Sequence, residues 1–146
     1  MNLTEHFSLE EFVVSNTAVR AGIDNTPAPE IVANLITLAK GLELVRAALG
    51  GRPIHVTSGY RCSRLNQMVG GSVRSMHLQG LAADIICPEF GTPYDICQAI
   101  AGAHITFDQL IHEYGRWCHI GFADKPRGEL LTIHTAAVGY EHGLRV

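Results

Sequence analysis

The stretch Leu81–Ile86, LAADII, is apolar except for one carboxylate, and it restricts the possible fold more than any other six residues. Its length and apolar run read as a buried strand. A carboxylate set into such a strand loses its hydration and needs a partner or a metal ion in return. Strand alternation sends Ala82 and Asp84 to one face, Ala83 and Ile85 to the other. The chain therefore has to bring a counter-group to the face that carries Asp84.

Two histidines are candidates, His77 seven residues before Asp84 and His119 thirty-five after it. A metal that takes imidazole nitrogen and carboxylate oxygen, as zinc does, holds them at about 2.0–2.2 Å. Seven residues span roughly 23 Å in a strand and about 10 Å in a helix, so His77 and Asp84 cannot meet on one straight element. The chain must reverse between them, and Gly80 suits that reversal because glycine enters the left-handed region without a Cβ penalty. In the second segment, WCHIGF, Trp117 and His119 share one face, opposite Cys118 and Ile120. Two histidines and an aspartate would leave a fourth tetrahedral position for water, the arrangement of a catalytic zinc site. Spacing alone keeps the alternative open: a hydrogen-bonded core histidine, beside an aspartate that caps a turn or pairs with an arginine.

The chain of 146 residues fits one domain, residues 1–146, with no repeat, low-complexity tract or linker. A formal charge of −3 with no run of Lys or Arg argues against a nucleic-acid partner. No apolar stretch approaches the roughly 18 to 20 residues that cross a bilayer. The start, MNLTEHFSLEEF, lacks the basic and apolar regions of a signal peptide, so the expectation is synthesis in the cytosol without a leader. The cysteines Cys62, Cys87, Cys97 and Cys118 form no C-x-x-C pair and read as small buried hydrophobes.

Ser8 and Glu11 form a capping box, with Phe7 and Phe12 at staple positions, ahead of a short helix from about Leu9 to Val14. Thr26 and Pro27 are expected to open a longer helix. Its stripe of Ile31, Leu35, Leu38, Leu42, Val45 and Leu49 is core, and Gly50-Gly51 ends it. PIHVTS reads as a strand and CSRLNQMVGG as a short helix. Thr92-Pro93-Tyr94-Asp95 caps a helix to about Ala103. FDQLIHE and WCHIGF read as a hairpin around Gly115, and the tail from Arg127 is less regular, with a possible strand at LLTIH. The fold class is α+β, an antiparallel sheet bearing Asp84 and His119 flanked by the long N-terminal helix. His6, His55, His104, His134 and His142 have no spacing that marks a site.

Ser75, His77, Gly80, Ala82 and Asp84 spell S-x-H-x-x-G-x-A-x-D, which resembles the first zinc motif of the D-alanyl-D-alanine carboxypeptidase family. Trp117 and His119, W-x-H, resemble its second motif, and TSGYRCSRLNQMVGG, with Arg61, is similar to the segment before the first. The resemblance runs from FSLEEF through HIGF and looks closest to the small single-domain branch common in phage and prophage genomes. It implies the fold shared by hedgehog domains and these DD-peptidases, and a Zn2+ ion on His77, Asp84 and His119 with a bound water as nucleophile. It further implies hydrolysis of an amide bond in the peptide stems of peptidoglycan, in the periplasm or cell wall; the expected state of the protein is a monomer. Arg61 is then the cation for the developing oxyanion or a clamp on a substrate carboxylate, and Ser75 orients His77 or contacts substrate.

Several relatives in that family carry an acid three positions before the last histidine, where this chain has Arg116. Glu113 is the nearest acid, and in the branch most resembled a Glu usually occupies its place. Hairpin register decides whether it serves. A two-residue turn at Gly115-Arg116 pairs His112 with His119 and turns Glu113 away, leaving His112 as candidate base. A three-residue turn at Tyr114-Gly115-Arg116 pairs Glu113 with Trp117 and puts it on the face of His119. The second register is the expectation, with Glu113 as general base. The rival reading is an inactive zinc-containing module on the same fold, either wall-binding or part of a phage particle.

Overall fold

A computed structural model describes residues 1–146. The capping box forms as expected: Ser8 accepts from the Glu11 amide and Glu11 reaches back to the Ser8 amide, opening α1 (Leu9–Val13). Phe7 and Phe12 close the staple with ring centroids 6.1 Å apart. A second short helix, α2 (Asn16–Ala21), is capped by the Ser15 hydroxyl and stopped by Gly22 in the left-handed region.

The long helix, α3 (Pro29–Ala48), starts two residues later than the sequence suggests, with Ala28 as N-cap and Pro29 at the first position. Thr26 is not its cap. A residue that precedes proline is pushed out of the helical region, and this holds for both Thr26 and Ala28, so the helix opens only after the second proline. The apolar stripe does what its spacing predicts. Leu35, Leu38, Leu42, Val45 and Leu49 are wholly buried.

The remaining elements are β1 (His55–Ser58), α4 (Ser63–Met68), a 3-10 turn (Met76–Gln79), β2 (Ala82–Ile86), α5 (Pro93–Gly102), β3 (Gln109–Glu113), β4 (Trp117–Gly121), β5 (Glu129–Ile133) and β6 (Tyr140–His142). The six strands form one sheet in the order β1-β2-β4-β3-β5-β6. Every pairing is antiparallel except β3 with β5, which is parallel. The exception has a simple cause. Both edges of β4 are occupied, by β2 and β3, and the chain leaving β4 takes the free edge of β3. The Gly128 and Glu129 amides donate to the carbonyls of Phe107 and Asp108 at the start of β3, which sets the common direction. The tail is thus more regular than its sequence suggests.

The sheet has one apolar face and one working face. Ala83, Ile85, Leu110, Cys118 and Ile120 join the stripe of α3 and the inner side of α5 (Ile96, Cys97, Ile100) in the main core. Three of the four cysteines are buried and Cys62 is half-buried, all as free thiols. No helix is long and apolar enough to cross a membrane.

Candidate active site

The reversal that His77 and Asp84 require takes place at Gly80. His77 lies on the 3-10 turn, Gly80 ends that turn at φ 71°, and β2 begins two residues on. A Cβ at Gly80 would stand 3.0 Å from Ile31 Cγ2 and 3.2 Å from Leu35 Cγ, so the backbone also lies directly against α3. Register completes the set, because Asp84 pairs with His119 across β2 and β4. His119 Nδ1 is 2.9 Å and His77 Nε2 is 3.4 Å from Asp84 Oδ1. The imidazoles meet edge to face at 5.1 Å.

The second nitrogen of His77 is spoken for. Its Nδ1 lies 2.7 Å from the Gly59 carbonyl oxygen, which accepts and so leaves the Nε2 lone pair for a ligand. Gly59 has to be glycine here, since a Cβ would stand 2.5 Å from the Phe12 carbonyl oxygen. Burial acts to raise the Asp84 pKa, but the facing imidazoles of His119 and His77 outweigh it and hold the carboxyl well below its usual range. For His119 burial acts downward, and the hydrogen bond and charge of Asp84 reverse the balance, leaving the imidazole raised. Two imidazole nitrogens and one ionised oxygen, all within 4.8 Å of one another and buried, are a donor set of the kind that holds a divalent transition metal. The residues fit such an ion.

The hairpin takes the three-residue turn. Glu113 pairs with Trp117, His112 with Cys118 and Ile111 with His119. Tyr114 and Gly115 both adopt positive φ to make it. Glu113 therefore faces the donors, and His112 is on the far side, held 2.7 Å from the Arg145 carbonyl. Trp117 Nε1 donates to Glu113 Oε1 at 2.7 Å, fixing one carboxylate oxygen and leaving the other free. Burial is the main influence on Glu113 and pushes its pKa up.

Arg61 and Ser75 lie in the same cleft of about 490 Å³ as the three donors and Glu113. Ser75 accepts from the His77 amide at 3.2 Å and, at 3.4 Å, from Arg61 Nη2. It thus orients the backbone of His77, not its ring. Arg61 Nε is buried with no hydrogen-bond partner. Burial lowers the Arg61 pKa, opposed by the charges of Asp84 and Glu113.

Several residues of the site escape a reading of motifs. Asn25 is buried in the loop between α2 and α3, which bears no motif, yet its amide donates to the Val13 and Tyr60 carbonyls (2.9 and 3.0 Å) and accepts from the Cys62 amide (2.8 Å), gripping both sides of Arg61. Gly59 acts through its carbonyl, which has no side-chain signature. Arg127, Leu131 and Tyr140 reach the cleft from the tail. Only the parallel placement of β5 brings them there, and local periodicity does not encode it.

A family model described as peptidase M15 matches residues 5–121. Over 51 residues the chain is 43% identical to the zinc D-Ala-D-Ala carboxypeptidase of Streptomyces albus G, an alignment that takes in 35% of this chain and 20% of that relative. The chain thus matches about a fifth of that relative's length. The family match reaches from ahead of the capping box to the last residue of β4 and encloses His77, Asp84, Glu113 and His119. By the extent of that match, this chain belongs to the peptidase M15 family.

Proposed function

We propose that the protein is a zinc-dependent peptidase that hydrolyses an amide bond in the peptide stems of bacterial peptidoglycan. The observation that carries this reading is the convergence of ligand atoms of His77, Asp84 and His119 within 4.8 Å in an open cleft. The name of the Streptomyces relative, a zinc D-Ala-D-Ala carboxypeptidase, supports both the ion and the class of substrate. Zinc held there supplies a lowered pKa to a water and polarisation to a carbonyl.

The protein's own groups do the rest. Glu113, with one oxygen tied to the Trp117 indole, takes the proton of the attacking water on the other and returns it to the leaving amine. Its raised pKa suits a group that must both accept and release a proton near neutrality. Arg61 presents a guanidinium whose Nε has no partner within the protein, and it stabilises negative charge on the carbonyl oxygen or clamps a substrate carboxylate. Ser75 steadies both Arg61 and the His77 backbone.

Delivery to the wall as a phage or prophage product, and action as a monomer, belong to the same proposal. Metal analysis of the purified protein, combined with digestion of peptidoglycan and sequencing of the new amino termini, tests it. Hydrolysis that survives complete removal of zinc refutes the mechanism, and unaltered turnover after His119→Ala refutes the ligand assignment. Glu113→Ala separates an enzyme from an inactive binding module: the enzyme loses hydrolysis and keeps its metal, whereas a module had no rate to lose.

A further inference from the structure

Residues 122–146 lie beyond the family match and still build one wall of the cleft. Among them Arg127 is held in an unusual way. Its backbone amide and Nε both donate to Asp108 Oδ1, at 3.1 and 2.9 Å, and its Nη2 donates to Asp108 Oδ2 at 2.8 Å. The Asp108 side chain is 6% exposed, that of Arg127 56%. One edge of the guanidinium fork is therefore anchored in the protein while the rest stands open to the cleft.

A guanidinium carries five N–H donors. Asp108 takes one on Nε and one on Nη2, which leaves the second N–H of Nη2 and both on Nη1. The nearest other acid, Glu129, forms an ion pair with Nη1 at 3.7 Å, too long for a hydrogen bond, so the N–H groups of Nη1 stay without an acceptor. That Glu129 oxygen already accepts from Gln109 Nε2 at 2.6 Å. The free Nη1/Nη2 edge matches the two oxygens of a carboxylate. Because Asp108 already fixes the side chain, little rotamer freedom remains to be lost when a ligand binds.

Gln109, on the face that carries His119, lines the cleft together with Arg127. Beside it Ile111 pairs with Leu131, and with Ile133 they form a small buried apolar cluster. Gln109 lies two residues along β3 from the level of His119, a step of roughly 7 Å. That equals about two residues of extended peptide at ~3.3–3.6 Å each.

We propose that Arg127 is a specificity-determining residue: its free guanidinium edge binds a carboxylate of the substrate one or two residues from the bond at the His77–Asp84–His119 centre. The proposal rests on the peptidase reading for the identity of the substrate, though not for the existence of the subsite. The carboxylate can come from an acidic side chain or from the free C-terminus of a peptide.

Three synthetic tripeptides distinguish these sources: Ala-Glu-Ala with an amidated C-terminus, Ala-Gln-Ala with a free one, and Ala-Gln-Ala amidated, each made with D-residues at the second and third positions. Binding to the zinc-loaded full chain is measured by calorimetry, and hydrolysis is followed separately. One of the two acidic peptides is expected to bind at least about tenfold more tightly than the neutral one, the range for a charge-assisted hydrogen-bonded pair. Arg127→Gln should erase that difference and leave the neutral peptide's affinity unchanged. Arg127→Lys keeps a cation beside Asp108 but loses the fork, so it should retain the fold and lose most of the preference; it decides the matter if Arg127→Gln unfolds.

Equal binding of all three peptides by the native protein overturns the subsite, as does a preference that persists in both variants. Hydrolysis without carboxylate preference removes the subsite and leaves the peptidase. Carboxylate preference that depends on Arg127, without any hydrolysis, removes the peptidase and leaves the subsite.

Discussion

Replacing Gly80 by Ala tests the reversal on which the metal site depends. The substitution places a side chain at φ 71°, a left-handed conformation that costs an L-residue about 1–2 kcal/mol. It also drives a methyl to 3.0 Å from Ile31 Cγ2, 3.2 Å from Leu35 Cγ and 3.3 Å from the Ile31 carbonyl oxygen. Leu35 is wholly buried, and overpacking of such a site costs typically about 1–3 kcal/mol. The expected loss is therefore about 2–5 kcal/mol, a large share of the ~5–15 kcal/mol that holds a domain folded. Gly22 supplies the control. It has nearly the same φ, 66°, but nothing within 4 Å of the position its Cβ would take, so Gly22→Ala should show the conformational part alone, about 1–2 kcal/mol. Urea denaturation of both variants, without metal and with zinc, measures the difference. Gly80 separates His77 from Asp84, so its variant should also bind zinc more weakly, whereas Gly22→Ala should not. Equal destabilisation by the two substitutions refutes the packing argument. Unchanged zinc affinity in Gly80→Ala refutes the claim that this turn gathers the donors.

Other consequences are open to simpler measurements. The Asp108 pKa is depressed chiefly by its hydrogen bonds from Arg127, against the opposing pull of burial. Its contribution to stability is thus complete above the ordinary aspartate range, about 3.9, and fades as pH falls through the lower folded value. The urea midpoints of native protein and Asp108→Asn should differ by a constant amount from pH 7 to 5 and converge at lower pH; a gap that persists undiminished at pH 2 contradicts this. Trp117→Phe removes the indole donor from Glu113 and should lower kcat roughly tenfold with KM and zinc content unchanged, the mark of an interaction spent on positioning. Loss of zinc instead would make Trp117 a structural support of the metal site. Asn25→Ala deletes three hydrogen bonds at a buried position and should destabilise by about 2–4 kcal/mol in urea; a loss under about 0.5 kcal/mol, the range of an ordinary surface change, would mean the amide is dispensable.

How much of this was legible in the sequence depended on whether the deciding information was local. LAADII announced a buried carboxylate by composition alone, and Asp84 is 7% exposed. Gly80 was readable because a reversal needs a residue free of a Cβ. The placement of Glu113 reduced to two discrete hairpin registers, and the structure has the expected one. The start of α3 was misread because Thr26 satisfied a capping preference while a second proline, Pro29, overruled it. The direction of β5 was not readable at all. It depends on which strand edge the chain takes, a property of the assembled sheet, and with it went any view of Arg127 and Tyr140. Asn25 and the Gly59 carbonyl were hidden for a different reason: one is an ordinary amide, the other a backbone atom common to every residue.

The segment from Gly59 to Cys62 is clasped at both ends. Its first carbonyl holds the His77 imidazole, while the Tyr60 amide reaches the Phe12 carbonyl at 2.7 Å and Asn25 ties Tyr60 and Cys62 to the close of α1. Thermodynamic linkage makes that traffic two-way: an ion that steadies the imidazole must, by the same free energy, steady the N-terminal helices. Amide protons around Phe12 and Asn25 should then exchange more slowly once zinc is added, although no atom there lies in the cleft. A terminal tag that frays α1 would be felt as a leakier metal.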